Sequence, residues 1–169
     1  MPKIIENPEA RLMEEARRQV ETVGYAAMTI RSVAKECGMG VGTVYNYFSS
    51  KDELLAKCML EDWNRCIAAI RETGSRARSP EPVVRCIYDQ LRDYSRHHSA
   101  LFGDEAARGV FALSFGRYHS LLRRQLAEPL GPFCGDGFAA EFIAEALLTW
   151  TMAGKEYDQI YAMIEKLFE

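Results

Sequence analysis

The sequence predicts an all-α protein of about nine helices. Apolar residues recur at three- and four-residue spacing through most of the chain, which is the spacing of one helix face. No segment keeps the alternating pattern of a β-strand for long, and the sequence has neither a repeat of fixed period nor a low-complexity stretch. Clusters of glycine and proline divide it into helix-length segments, most clearly at residues 74–82 and 129–137.

Composition narrows the class of protein. Hydrophobic residues make up 48% of the 169 residues and charged residues 27%, as in ordinary globular proteins. No run approaches the roughly 18 apolar residues of a membrane span, and Glu6 and Glu9 stand where a signal peptide would be basic. These features predict a cytoplasmic protein with no membrane partner. The net charge of −3 argues against binding of nucleic acid by bulk electrostatics.

The first two helices are predicted from their end signals. Pro8 favours a first helical turn and Gly24 a helix end, and the apolar stripe between them is Leu12, Met13, Ala16, Val20 and Val23. Thr29 is a good N-cap for the second helix. Gly38 stops that helix because glycine readily adopts the left-handed conformation after the last turn.

A third helix is predicted to start near Val41 and to expose an unusual face. If Val44 and Phe48 point into the core, the residues left outside are small or carry hydroxyl and amide groups, with no charge. Ser50 and Glu53 then match a capping box that opens the fourth helix. Two short helices joined by a tight glycine turn form the helix-turn-helix pattern, here at residues 29–48.

The local sequence also resembles the DNA-binding domain of the tetracycline-repressor (TetR) family. In that family a Tyr-x-(His or Tyr)-Phe run, a small residue, Lys, an acid and Leu end the recognition helix and begin helix 4. The resemblance covers about residues 9–60 and depends on Ala34, Gly38, Val44, Tyr45, Tyr47, Phe48, Lys51, Asp52 and Leu54. It implies a dimeric, ligand-responsive repressor whose recognition helix enters the DNA major groove.

The resemblance also implies two classes of DNA contact. The residues that match the family's phosphate contacts are Thr29, Tyr45, Tyr47 and Lys51. The residues expected to face base edges are Val41, Gly42, Thr43 and Asn46. Asn46 is the best candidate for bidentate recognition of adenine. Lys51 opposes the dipole of the fourth helix, a cost that a nearby phosphate would remove.

The fourth helix, predicted over residues 51–73, connects two expected domains. Residues 1–73 are predicted to form the DNA-binding domain, and residues 74–169 an effector-binding and dimerisation domain after a linker at 74–82. A helix at 104–128 is apolar on more than one side, which favours a central position. The last helix, 156–168, has apolar residues spaced like a coiled-coil seam and therefore requires a partner.

Two further sites are predicted in the C-terminal part. The resemblance implies a ligand cavity, and the residues expected to line it are Tyr94, His97, Phe111, Phe115, Tyr118 and Trp150. Apolar lining favours an uncharged or weakly polar effector, although a filled core accounts for the same residues. The predicted homodimer interface comprises Phe142, Ala146, Tyr157, Ile160, Tyr161, Ile164 and Phe168.

Motifs of catalysis are absent from the sequence. It has no GxSxG, no HExxH and no zinc-type spacing of cysteine and histidine. Gly38, Gly40 and Gly42 follow a predicted helix, whereas a nucleotide-binding glycine loop follows a strand. We therefore expect no enzyme activity, metal or cofactor, and five reduced cysteines.

The sequence thus predicts a cytoplasmic, DNA-binding transcriptional regulator. The main hypothesis is a homodimeric repressor that binds a palindromic operator in double-stranded DNA and is released by a small, largely apolar ligand. The alternative is an architectural or cell-cycle DNA-binding protein of the same fold with no small-molecule effector. Ligand-dependent release from DNA separates these hypotheses.

Overall fold

The computed structural model describes the backbone of residues 6–168 and the side chains in that range other than those of residues 112–117. These residues form nine α-helices, two 3-10 helices and no β-strand, which confirms the predicted all-α class. The α-helices are Pro8–Ala27 (α1), Ile30–Glu36 (α2), Val41–Tyr45 (α3), Lys51–Arg76 (α4), Pro80–His97 (α5), Ser99–Gly103 (α6), Glu105–Ala127 (α7), Gly137–Met152 (α8) and Tyr157–Ile164 (α9). The 3-10 helices are Glu128–Phe133 and Glu165–Phe168. None of the described helices has the length and apolarity required to cross a membrane.

The chain divides into two compact units. Unit 1 comprises residues 1–61 and 98–113, and unit 2 comprises residues 62–97 and 114–169. Two helices therefore contribute to both units, α4 with a division after residue 61 and α7 with a division after residue 113. The predicted functional boundary at residue 73 stays a prediction.

Unit 1 is built around the first three helices and the start of α4. In it α1 packs against α2 and α6, and α2 packs against α3. Its most deeply buried side chains include Leu12, Ala16, Met28, Val33, Ala34, Val44, Phe48, Leu54 and Leu55. Helices as short as α2 and α3 are marginal in isolation, so this burial is what stabilises them.

Unit 2 is a second helical core. Here α5 packs against α8 and α9, and both α5 and α8 contact the 3-10 helix at Glu128–Phe133. The core is formed mainly by Ile70, Val83, Val84, Ile87, Leu91, Leu126, Leu130, Ile143, Leu147 and Ile164. Each unit therefore has its own hydrophobic core.

One predicted helix end is confirmed in part, and another is wrong. Gly24, with a φ of 82° and a ψ of 165°, interrupts the helical geometry as predicted, and one further turn then continues to Ala27. Gly74 was expected to begin a linker, yet α4 continues to Arg76. A Cβ atom at Gly74 would lie 2.7 Å from Cβ of Pro129, so this glycine permits a close approach inside unit 2. Sequence reasoning could not distinguish that role from a helix stop.

Candidate nucleic-acid interface

The turn between α2 and α3 is set by local hydrogen bonds. Thr29 caps α2 as predicted, with its Oγ1 accepting from the Ser32 backbone N–H at 3.0 Å. Gly38 has a φ of 66°, and the Met39 N–H donates back to the Ala34 carbonyl at 2.9 Å. This is the predicted glycine-terminated helix end, and it confirms the structural role of Gly38.

A hydrogen bond that the sequence did not indicate fixes α2 against α1. The Ser32 hydroxyl donates to Oε1 of Gln19 at 2.5 Å, and Gln19 is a buried polar residue of α1. Gln19 is in turn held by the Glu15 carboxylate at 2.7 Å. The position of the turn thus depends on a buried polar chain as well as on apolar packing.

Helix α3 is anchored by two buried residues. Val44 and Phe48 are 0% and 1% exposed, as the spacing predicted. The Phe48 N–H still donates to the Val44 carbonyl at 3.0 Å, although α3 itself ends at Tyr45. The recognition helix is therefore shorter than the predicted segment, with Asn46 and Tyr47 in the turns that follow it.

The outer side of this segment carries no charged group. We call it the α3 face, formed by Gly42, Thr43, Tyr45, Asn46 and Tyr47, all of which are exposed. Val41 is half-buried beside it. A Cβ atom at Gly42 would meet nothing within 4 Å, so this part of the backbone is open to close approach. The α3 face offers hydroxyls and an amide on a rigid support, which suits hydrogen bonding to base edges and phosphates.

The start of α4 is capped by serines. The Ser50 Oγ accepts from the Glu53 backbone N–H at 3.1 Å, which is one half of the predicted capping box. The Glu53 carboxylate accepts instead from the backbone N–H and hydroxyl of Ser49, at 2.7 and 2.5 Å. These bonds from Ser49 hold the pKa of Glu53 below its ordinary value.

Lys51 lies at this same helix start and is tied to α1. Its ammonium donates to the Tyr25 carbonyl at 2.9 Å and to the Met28 carbonyl at 3.4 Å, and lies 4.0 Å from the Tyr25 ring centroid. The Tyr25 hydroxyl donates to Oδ1 of Asp52 at 2.6 Å. Sequence reasoning missed Tyr25, because an aromatic residue after a glycine indicates packing and nothing more specific.

Several basic side chains around this surface are paired with acids. Arg17 contacts Glu61 at 2.7 Å, Arg18 contacts Glu15 at 2.6 Å, and Lys57 pairs with Glu9. Arg31 and Lys35 of α2 are exposed. Ion pairing thus reduces the exposed positive charge of this part of the chain, whose sequence is nearly neutral, but leaves Arg31 and Lys35 exposed.

A comparison with known proteins indicates which protein family the N-terminal helices resemble. The family model for bacterial regulatory proteins of the tetR family matches residues 12–58, which include α2, α3 and the start of α4. Over residues 12–58 the chain is therefore similar to the DNA-binding domain of TetR-family regulators. TetR-family regulators bind DNA and typically form dimers that respond to small molecules.

Individual relatives match different parts of this chain. It is 32% identical over 99 residues to the HTH-type transcriptional regulator BetI 1 of Chromohalobacter salexigens, covering 57% of this chain and 49% of that protein. It is 24% identical over 174 residues to the fatty acid metabolism regulator protein of Bacillus subtilis, covering 88% and 86%. The chain thus spans about half the length of the first relative.

The fold is shared over almost the whole chain. A crystal structure of a transcriptional regulator from Streptomyces coelicolor A3(2) aligns with a TM-score of 0.67, covering 95% of this chain and 98% of that one at 14% identity. At this identity the likeness establishes the fold alone. The relatives above are named as regulators rather than as enzymes.

The residues predicted to line a ligand cavity lie in different surroundings. Tyr94 is buried in unit 2 with its ring edge against Trp63, and the exposed His97 lies 3.6 Å from the Asp62 carboxylate. Phe111 is buried in unit 1, its ring 6.4 Å from that of Tyr25. The remaining residues are Tyr118 and Trp150, which are exposed, and Phe115, which lies outside the described side chains. Their shared role in ligand binding stays a prediction.

The residues predicted for the dimer interface also separate into two groups. Tyr157, Ile160 and Ile164 are buried in the core of unit 2. On α8, in contrast, four residues spaced four apart point outward, and we call them the α8 stripe: Phe138, Phe142, Ala146 and Trp150. Phe138 is 77% exposed, Phe142 52% and Trp150 50%, while Ala146 is half-buried. The other predicted interface residues, Tyr161 and Phe168, are half-buried.

Charged side chains flank the α8 stripe. His119 of α7 contacts the Glu145 carboxylate at 2.8 Å, and Arg123 lies 3.2 Å from Glu141. The Thr149 hydroxyl also donates to Glu145, at 2.9 Å. Burial acts to raise the pKa of Glu145, but the hydrogen bonds from His119 and Thr149 and the charge of Arg123 outweigh it and leave the pKa below its ordinary value. These contacts join α7 to α8.

Proposed function

We propose that this protein is a sequence-specific transcriptional regulator, a repressor that leaves a palindromic operator when it binds a small, largely apolar ligand. The observation that carries the proposal is the α3 face, an uncharged set of hydroxyl and amide groups exposed on a helix anchored by Val44 and Phe48. Water solvates such a face less well than a charged one, whereas base edges and phosphates match its donors and acceptors.

The proposed contacts divide by chemistry. The exposed hydroxyls of Tyr45 and Tyr47 and the Lys51 ammonium at the start of α4 would donate to phosphates, and Thr29 would do so at the start of α2. The base edges would face Val41, Gly42, Thr43 and Asn46. Because the N-terminal sequence is nearly neutral, we expect the affinity to depend less on salt than that of a protein with a basic arm.

Selection of duplexes from a random-sequence library tests this proposal directly. A two-fold dimer should enrich an inverted repeat whose half-site centres lie about 34 to 36 Å, or a multiple, apart. Footprinting of the enriched duplex should protect both half-sites on one side of the helix. Enrichment of no sequence, or protection of a single unrepeated site, would contradict it.

The homodimer is proposed to use the last helices, with the α8 stripe at its centre. An exposed apolar row of this kind on an otherwise buried helix requires a covering surface. A second copy of the chain would provide this covering surface, because a two-fold axis places the α8 stripe of one protomer against the α8 stripe of the other. The flanking Glu141, Glu145 and Arg123 supply both signs of charge, which would allow pairs of opposite charge across the axis.

The effector is expected to be a small, largely apolar molecule. One relative is named as a regulator of fatty acid metabolism, and it matches most of this chain, so fatty acids are a reasonable first set of compounds. We expect an effector to raise the unfolding temperature and to weaken operator binding by roughly 1 to 3 kcal/mol of coupling energy. A screen in which stabilising compounds leave operator affinity unchanged would favour the alternative, an architectural or cell-cycle DNA-binding protein.

A further inference from the structure

Lys51 is held by a pre-formed set of contacts, although it was expected to reach a phosphate. Its ammonium has three N–H donors, and the carbonyls of Tyr25 and Met28 accept from it at 2.9 and 3.4 Å. The Tyr25 ring lies beneath the same ammonium, 4.0 Å away. A long, flexible side chain is thereby restricted before any DNA arrives, which reduces the ordering cost of a contact.

Tyr25 is itself fixed from three directions. It is 5% exposed and follows the kink at Gly24, where φ is 82°. Its hydroxyl donates to Asp52 at 2.6 Å, and its ring meets the edge of the Phe111 ring at 6.4 Å. Tyr25 therefore touches Lys51 and Asp52, the first two residues of α4.

The hydroxyl of Tyr25 remains a donor at neutral pH. Burial, the hydrogen bond to Asp52 and the nearby negative charges raise the pKa of Tyr25 to about 12. The hydroxyl therefore keeps the proton with which it donates to Asp52.

We propose that Tyr25 is a positioning residue for DNA binding, which holds the Lys51 ammonium in place for a backbone phosphate while making no DNA contact of its own. This inference rests on the proposed DNA-binding function. It deepens that function by assigning the geometry of one phosphate contact to a buried aromatic residue of α1. Packing alone would make Tyr25 important for stability but not for the electrostatics of binding.

The test uses the full chain and the duplex that the wild type selects from a random library. Affinity for DNA falls as salt rises, and each phosphate contact makes this fall steeper. Loss of one phosphate contact in Lys51→Met should therefore make the slope of log affinity against log salt shallower by about 0.9. Tyr25→Leu should lower the affinity for the duplex by about twofold to thirtyfold, which is the range expected for loss of a cation–π contact. It should also make the salt slope shallower. Val20→Ala, which truncates another buried side chain of α1, controls for lost stability and should leave the slope unchanged.

A double variant and a conservative variant complete the design. If Tyr25 acts through Lys51, the affinity losses of Tyr25→Leu and Lys51→Met should not add in the double variant. Tyr25→Phe keeps the ring under the ammonium and should restore the wild-type slope. Three results would overturn the inference. They are affinity losses that add in the double variant, a salt slope that is unchanged in Tyr25→Leu, and equal affinity losses in Tyr25→Leu and Val20→Ala. A wild type that selects no duplex would instead overturn the proposed function.

Discussion

The α3 face and the α8 stripe are two exposed surfaces that water solvates poorly, but for opposite reasons. The α3 face is polar and uncharged, and its hydroxyl and amide groups stand on a short helix held by buried Val44 and Phe48. The α8 stripe is apolar, and it lies on a helix whose other side is buried in the core of unit 2. Exposure alone therefore does not identify a partner. The chemistry of the exposed groups does, and here it favours nucleic acid for one surface and an apolar protein surface for the other.

The largest effects are expected from a charge introduced into the C-terminal helices. A charge on their buried side should lower stability, whereas a charge on their exposed side should disrupt assembly. Ile164 is 2% exposed, so Ile164→Asp should lower the free energy of unfolding by about 3 to 5 kcal/mol, the cost of a buried charge without a partner. Thermal and urea unfolding followed by circular dichroism will measure this loss. Unchanged stability would mean that Ile164 is accessible to solvent in the assembled protein.

Phe142→Asp should change assembly and leave the folded protomer intact. The residue is 52% exposed, so its replacement should keep the helix content while sedimentation reports a monomer. Operator affinity should then fall about a hundredfold or more, because one protomer reaches only one half-site. Phe138→Asp introduces the same charge at the end of the α8 stripe and serves as the matched variant. If the protein remains a dimer with either change, the interface does not lie on α8.

Two glycines offer the next contrast, one in each unit. Gly74→Ala should lower the free energy of unfolding by about 1 to 3 kcal/mol, because the new Cβ would meet Pro129 at 2.7 Å. Gly42→Ala should leave stability unchanged or raise it by about 0.5 to 1 kcal/mol, since its Cβ would enter open space on a helix.

The functional consequences of these two substitutions should be reversed. Gly42→Ala should weaken operator binding if a base edge approaches this backbone, whereas Gly74→Ala should preserve binding at temperatures where it remains folded. Titration of the selected duplex with both proteins will measure the difference. Operator affinity that is insensitive to Gly42→Ala would remove this glycine from the proposed base-facing set.

The α3 face itself should divide into two kinds of contact. Asn46→Ala should relax the preference at one position of each half-site by about 1 to 3 kcal/mol. Tyr47→Phe should weaken binding to all sequences alike, because a lost phosphate contact carries no sequence information. Selection experiments with each variant will report the specificity profile. Similar profiles for the two variants would refute the assignment of roles.

The smallest effect should be a pH dependence beside the α8 stripe. The pKa of Glu145 is lowered from its ordinary value of 4.5, so its contribution to stability is present above that value and is lost as pH falls through the lowered pKa. The unfolding temperature of wild type should therefore exceed that of Glu145→Gln near neutral pH, with the difference shrinking below pH 4.5. The side chain is partly exposed, so added salt should also reduce the difference. A difference that is constant with pH would mean that the carboxylate charge contributes nothing.

The sequence by itself determined the helical class and several helix ends. Thr29 caps α2, Gly38 ends it, and Ser50 caps α4, as their residue types predicted. These features depend on hydrogen bonds between residues three to five positions apart, so their signals lie within a short window. For the same reason the buried spacing of Val44 and Phe48 was predictable, and with it the identity of the exposed α3 face.

Only the tertiary structure decided which apolar residues are covered and what the charged residues contact. Ile164 and Phe142 look alike in a helical pattern, yet one is buried and the other exposed. Lys51 contacts Tyr25, 26 residues earlier, and Gly74 approaches Pro129, far along the chain. Such contacts depend on how helices that are distant in sequence pack together. Local periodicity does not predict that packing, because an apolar stripe can pack against more than one neighbouring helix.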